Sequence, residues 1–214
     1  MSRTGSGFRF GPVDLDLASL RHTVRGRLLA DGGACTMVPV MGETIAGGIT
    51  VSPAGEGRRL QVIADLVELR VSTQETDNAL LACELVVPPG AGPPLNRHNQ
   101  TEVLRIIEGD FVIVDEDGLE IPLKAGDAAL IPSGAWHRYR NTGHGMGRMW
   151  CVITPGGMEG FFEELGVLSD ATEPAPVTER PDVDRILTVA AHHGIEVRPD
   201  GSSPPDDGGP PGRR

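Results

Sequence analysis

Cysteine is scarce in this chain of 214 residues: Cys35, Cys83 and Cys151 are the only three. No two form a CxxC pair and one is left over from any pairing. That argues against a disulfide framework and suits a reducing compartment. Basic residues are outnumbered, 19 Lys and Arg against 30 Asp and Glu, giving a net charge of −11 and a pI near 4.9. Such a surface repels phosphate backbones, so nucleic acid is not an expected partner. No apolar run approaches the roughly 20 residues that span a bilayer, and residues 1–15 lack the apolar core of a signal peptide. The protein is therefore expected in the cytoplasm, with no membrane partner. Helix–strand alternation is missing, which excludes a parallel α/β sheet. There is no internal repeat and no helix-turn-helix.

Glycine (29) and proline (18) are plentiful, and many lie near the ends. Flexible segments are thus expected to flank a smaller folded unit. Residues 1–48 are weakly patterned and read as a flexible amino-terminal extension. One short amphipathic helix is expected there, with Leu17, Leu20, Val24 and Leu28 on one face. Met37 and Met41 offer alternative start positions. From Leu60 the texture changes. Residues 59–71 read as strand, with Leu66, Glu68 and Arg70 on one face and Val67, Leu69 and Val71 on the other. Residues 72–78 are a polar turn, and 79–87 a second strand ended by Pro88, Pro89 and Gly90. Short strands then follow at steps of roughly eight to twelve residues as far as Pro155, the spacing of an all-β sandwich or barrel. Beyond it, Phe161, Phe162 and Leu165 mark a helix that ends at Gly166 and covers one barrel end. A second helix runs from Pro181 to a stop at Gly194, with Val183, Ile186, Leu187 and Ala190 as its apolar stripe. The expected organisation is an extension over 1–48, a β-barrel over 49–166, a linker and packing helix over 167–198, and a disordered tail over 199–214.

Two stretches carry chemistry. In the first, Asn96 and His98 are two apart, and Glu102, Leu104 and Ile106 share one face of the following strand. A His and a Glu pointing into an apolar barrel need a partner to offset their desolvation. That partner is either a divalent cation or a direct His–Glu hydrogen bond. In the second stretch, Pro132 and Gly134 suit a type I turn, and His137, Tyr139 and Asn141 then share a face. Two imidazoles and one carboxylate form the set used by non-haem Fe(II) oxygenases.

The spacing resembles the two motifs of the cupin superfamily. The first family pattern is matched by Gly90, the Asn96-Arg97-His98 triplet, Glu102 and Gly109. The second is matched by Gly126, Pro132, Gly134, His137 and Asn141, with 16 residues between the two motifs. The likeness extends from about Gly57 to Val197 and is nearest to bacterial single-domain cupins described as quercetin-dioxygenase-like. It implies an all-β fold, a cupin jelly-roll β-barrel with two carboxy-terminal helices and disordered termini. It implies a metal held by His98, Glu102 and His137: iron first, with manganese, nickel, copper or zinc as alternatives. The family's remaining ligand is a histidine, and here that position is Asn96. Its amide oxygen is a weaker, harder donor than imidazole. Asn96 is thus a weak fourth ligand, a hydrogen-bond partner to bound water, or the mark of a lost site. The implied activity is metal-dependent oxygenation of a small organic substrate, with dioxygenase chemistry leading and Tyr139 as the catalytic candidate that orients substrate. The alternatives are a non-redox cyclase, isomerase or lyase of secondary metabolism and a non-catalytic binding module. The resemblance also implies a homodimer.

Other residues read as scaffold. Arg97 and Arg105 fall opposite the ligands and are expected in solvent or paired with acids such as Glu120. Trp136 and Trp150 read as packing residues. His192 and His193 suit the negative end of the second helix. Cys83 and Cys151 are expected as small buried apolar groups.

Overall fold

The computed structural model describes residues 43–45, 49–178 and 180–198. The expected amino-terminal helix and the tail over 199–214 lie outside them. Short runs rich in Val, Ile and Leu, separated by Gly, Pro and Asp, produce β1 (Glu43–Ile45), β2 (Ile49–Val51), β3 (Arg58–Val62), β4 (Asp65–Val71), β5 (Leu81–Val87), β6 (Leu95–Arg97), β7 (Thr101–Glu108), β8 (Asp110–Asp115), β9 (Glu120–Lys124), β10 (Ala128–Ile131), β11 (His137–Asn141) and β12 (Gly147–Thr154). Then come α1 (Glu159–Leu165), β13 (Val167–Leu168), α2 (Val183–His192) and β14 (Glu196–Arg198). The β1–β2 hairpin forms its own sheet, so residues 43–45 of the expected extension are strand. The rest form a seven-stranded sheet, β10-β7-β12-β5-β4-β3-β13, and a five-stranded sheet, β14-β6-β11-β8-β9. This is the expected jelly roll. Among the described residues, no helix is long and apolar enough to cross a membrane.

Period-two alternation places the core. Along β7, Glu102, Leu104 and Ile106 are buried while Val103, Arg105 and Ile107 face outward. Met149, Cys151 and Ile153 of β12 do the same beside them, in register with Ile106, Leu104 and Glu102. Each fully buried Leu or Ile contributes about 1.5–3 kcal/mol relative to exposure. The motif glycines Gly90, Gly109, Gly126 and Gly134 all sit in turns with φ between 74° and 97°, which is why the pattern demands glycine there. Asn141, fully buried, donates to the carbonyls of Val87 (2.8 Å) and Gly145 (2.9 Å) and accepts from the Gly143 amide (2.9 Å). It holds loop backbone together rather than facing a ligand.

Two features differ from the sequence reading. Residues 59–71 are two strands of a hairpin, β3 and β4, turning at Ile63 and Ala64. Ile63 adopts φ 55°, a conformation a β-branched residue rarely takes, so no Gly, Pro or Asn announces the turn. The second difference is β14, which follows α2 and adds to β6 at the edge of the five-stranded sheet. It is clasped there by Arg97, which pairs with Glu196 (2.8 Å), and by Trp136, whose ring lies under the guanidinium groups of Arg97 (4.9 Å) and Arg198 (3.9 Å). Trp136 is therefore a half-buried stacking platform, and Glu120 pairs with Arg140 instead.

Candidate metal centre

The barrel brings the three predicted ligands together. Glu102 comes inward from the start of β7. His98 sits just past the end of β6, its carbonyl accepting from the Gly134 amide (2.8 Å). His137 opens β11, paired with Asn96 across to β6. His98 Nε2 lies 3.1 Å from Glu102 Oε1 and His137 Nε2 lies 3.5 Å from Oε2. The two rings stand edge to face, 5.3 Å apart. All three side chains are buried. Their ligand atoms lie within 4.8 Å of one another. Burial alone would raise the Glu102 carboxyl; hydrogen bonds from His137 and His98, with their charge, outweigh it and hold the carboxyl at about 2. Burial would lower His137, but the Glu102 carboxylate and the Ala135 carbonyl together raise it.

One contact tests whether a cation suits this arrangement. His137 Nδ1 lies 3.0 Å from the Ala135 carbonyl, which can only accept. The ring therefore carries a proton on Nδ1, so Nε2 meets the carboxylate oxygen favourably only when it holds a second proton, as in the hydrogen bond to Glu102, or a metal ion. Lone pair against carboxylate is repulsive unless a proton or a metal ion lies between them. The donor set fits a divalent transition metal on that ground.

Asn96 is turned by its own strand. Its amide nitrogen donates to the carbonyls of Pro94 (3.1 Å) and His137 (3.2 Å). Those two acceptors fix the amide orientation and leave Oδ1 as its free donor atom. Tyr139, two residues beyond His137, does face inward with it. Its hydroxyl donates to Asp65 Oδ2 at 2.6 Å. All six of these side chains line a cavity of about 110 Å³, otherwise largely apolar, whose walls include Phe161 and Phe162 of α1 and Ile186 of α2. The helices thus cover the barrel end, as expected.

Asp65 escaped the sequence reading. The parity that puts Val67 and Leu69 inside also puts Asp65 inside, and an acid at the head of a buried face was the available signal. Burial pushes its carboxyl up to about 7, against the lowering pull of the Tyr139 hydrogen bond. A folded pKa above the unfolded one means that the folded state holds the proton longer. This contribution to stability is complete below about pH 4 and is lost as pH rises through about 7. The Asp65→Asn variant escapes that loss. In urea titrations with chelator present, its stability relative to wild type should rise between pH 4 and 8, by up to about 4 kcal/mol. A constant difference across that range would refute the assignment.

Two other clusters sit where the sequence placed them, at the end of α2 and within β5 and β12. His192 Nδ1 (3.0 Å) and His193 Nε2 (2.8 Å) both meet Glu164 Oε2 of α1, so these histidines tie the two helices together at the surface. Cys83 and Cys151 are buried and reduced, directly opposite each other on β5 and β12. Hydrogen bonding to Cys83, then burial, raises the Cys151 thiol, which is thereby kept inert.

A jelly-roll barrel with a buried two-histidine, one-carboxylate centre defines the class. Residues 83–153, from β5 to β12, match the family model of the cupin domain, so the chain carries a cupin domain. An endoribonuclease YbeY of Myxococcus xanthus is 32% identical over 143 residues, 66% of this chain and 42% of that protein. A quercetin 2,3-dioxygenase of Bacillus subtilis is 32% identical over 117 residues, 54% of this chain and 34% of that one. The chain thus spans less than half the length of either. An RmlC-like cupin from Shewanella frigidimarina aligns at 20% identity with a TM-score of 0.42, covering 50% of this chain and 92% of that structure.

Proposed function

We propose that the chain is a mononuclear metal-dependent cupin enzyme that oxygenates a small organic molecule, with dioxygenase chemistry. The observation that carries this is the convergence of His98 and His137 on the two oxygens of Glu102, with His137 Nδ1 held by the Ala135 carbonyl so that Nε2 faces inward. Held by His98, Glu102 and His137, a divalent transition metal, iron fitting the set best, would act as Lewis acid and pass electron density between substrate and O2. The protein does the rest. Asn96 presents its amide oxygen beside the ligands and tunes the centre. Tyr139 and Asp65 orient the substrate. The apolar walls exclude water, which strengthens every polar contact inside. A dioxygenase relative agrees with this reading. The ribonuclease activity named for the other relative suits this cavity poorly: the net charge is −11, and among the described residues the walls hold no Lys or Arg for a phosphate.

The Asp65–Tyr139 pair favours a second reading, non-redox isomerisation or cyclisation, because a buried carboxyl near 7 is suited to moving protons. An O2 electrode separates the two. Iron-reconstituted protein is screened against neutral chelating phenols and diketones. Oxygen consumed in step with substrate supports the oxygenase. Substrate conversion without O2 uptake supports the isomerase or cyclase instead.

A further inference from the structure

Charge is distributed unevenly in the cavity. Among the described residues its walls contain two carboxylates, Asp65 and Glu102, and no Lys or Arg. Glu102 is engaged by both histidines. Asp65 is only half engaged: Oδ2 accepts from Tyr139, while Oδ1 is buried without a hydrogen-bond partner among the described residues. Asp65 as a whole is 7% exposed. A buried polar atom left unpaired is costly, and such atoms in native proteins call for an explanation. Here the atom belongs to an acid in the wall of the cavity that houses the candidate centre, so the explanation nearest to hand is a ligand.

We propose that Asp65 is the specificity-determining residue of this cavity: it accepts a hydrogen bond from the substrate, selects uncharged or cationic molecules bearing a hydroxyl or amine donor, and turns carboxylates away. This rests on reading the cavity as the substrate site. Tyr139 cooperates by holding Oδ2, so that the carboxyl is aimed by one bond and free at the other oxygen. Rotation about the bond to the carboxyl is soft and lets Oδ1 meet a donor in the cavity. An anionic substrate would face that acid with no Lys or Arg among the described wall residues to offset it. An alcohol or an amine would give Oδ1 the donor it lacks. The apolar walls take the rest of the molecule.

The test uses four one-ring probes of similar size: benzyl alcohol, benzylamine, benzyl methyl ether and benzoate. Each is titrated into the full chain at pH 8.5, as purified and again with EDTA. Tyr139 is the only tyrosine, so protein labelled with ¹³Cζ-tyrosine gives a single NMR resonance at the site and needs no assignment. With EDTA, the alcohol and the amine should bind about tenfold tighter than the ether and benzoate, as a hydrogen bond to a charged acceptor implies. In Asp65→Asn that preference over benzoate should shrink to within about threefold, while ether binding stays unchanged and reports an intact cavity. Wild-type protein that binds benzoate as tightly as the alcohol in EDTA would overturn the proposal, and so would a variant that keeps the preference. The wild-type series decides even if the variant fails to fold. Benzoate binding that appears only without EDTA would belong to the metal. A missing metal centre would leave the Asp65 preference in place, so the two ideas fail separately.

Discussion

Purified without chelator, the wild-type chain should carry about one divalent transition-metal ion, and His98→Ala less than about a tenth of that, measured by elemental mass spectrometry. Three protein donors with open positions make a catalytic type of site, and losing one of three leaves a pair that holds metal only weakly. Removing His98 also frees Glu102 Oε1 from its 3.1 Å partner, so a buried carboxylate is left half paired. Glu102→Gln is the sharper companion. It keeps the shape of the side chain and removes the one negative charge between the imidazoles. Both variants should lose metal, and loss of a first ligand exceeds the 10- to 100-fold cost typical of changing a supporting partner. Metal that persists undiminished in both variants would place it elsewhere, with the surface cluster of Glu164, His192 and His193 the first place to look. Wild-type protein that stays metal-free after reconstitution with iron, manganese, nickel, copper and zinc would make Asn96 the mark of a lost site.

The ligands were legible because they lie in short motifs whose spacing encodes turns. Glycines at positive φ fix where β7 ends and where β11 starts, and period-two alternation then decides which side chains point inward. Asp65 was hidden for a different reason. Its place depends on a tight turn at Ile63 and Ala64 that has no turn residues, so β3 and β4 read as one strand and the acid fell in the middle of it. Only the tertiary pairing of Val62 with Asp65 reveals the hairpin. The strand β14 was hidden because three residues after Gly194 are too few to show a period. It exists by pairing with β6, a contact between residues about a hundred apart. The direction of the Asn96 amide is likewise set by two carbonyls, one of them His137's from the neighbouring strand. For β14 and Asn96 the missing information lay in long-range contacts, and for Asp65 in the local backbone at Ile63.

Gly92→Ala is expected to be among the most damaging single substitutions in the barrel, and the reason joins the fold to the site. The segment before β6 is strapped to β11: the Gly90 amide donates to the Asn141 carbonyl (2.8 Å) and the Asn141 amide to the Ala91 carbonyl (3.0 Å). One residue further on, Gly92 presses its backbone against Tyr139. A Cβ there would lie 2.0 Å from the Tyr139 carbonyl oxygen and 3.2 Å from the Arg140 Cα. The obstacle is backbone within a paired strand, so it cannot swing aside as a side chain would. The φ of 155° adds conformational strain. Overpacking and strain each cost about 1–3 kcal/mol, so a loss of about 3–5 kcal/mol is expected, or a fall in melting temperature of about 10 °C for a chain of this size. Gly118→Ala is the control. Its φ is 81°, but a Cβ there meets nothing within 4 Å, so only the backbone cost of about 1 kcal/mol applies. The difference between the two variants isolates the contact with β11. Whatever Gly92→Ala protein remains folded should also have a displaced Tyr139, and hence a weakened hydrogen bond to Asp65, visible as a moved or broadened ¹³Cζ resonance from the single tyrosine. Equal melting temperatures for the two variants, with that resonance unmoved, would mean that the strap yields and that Tyr139 is held by Asp65 and the core alone.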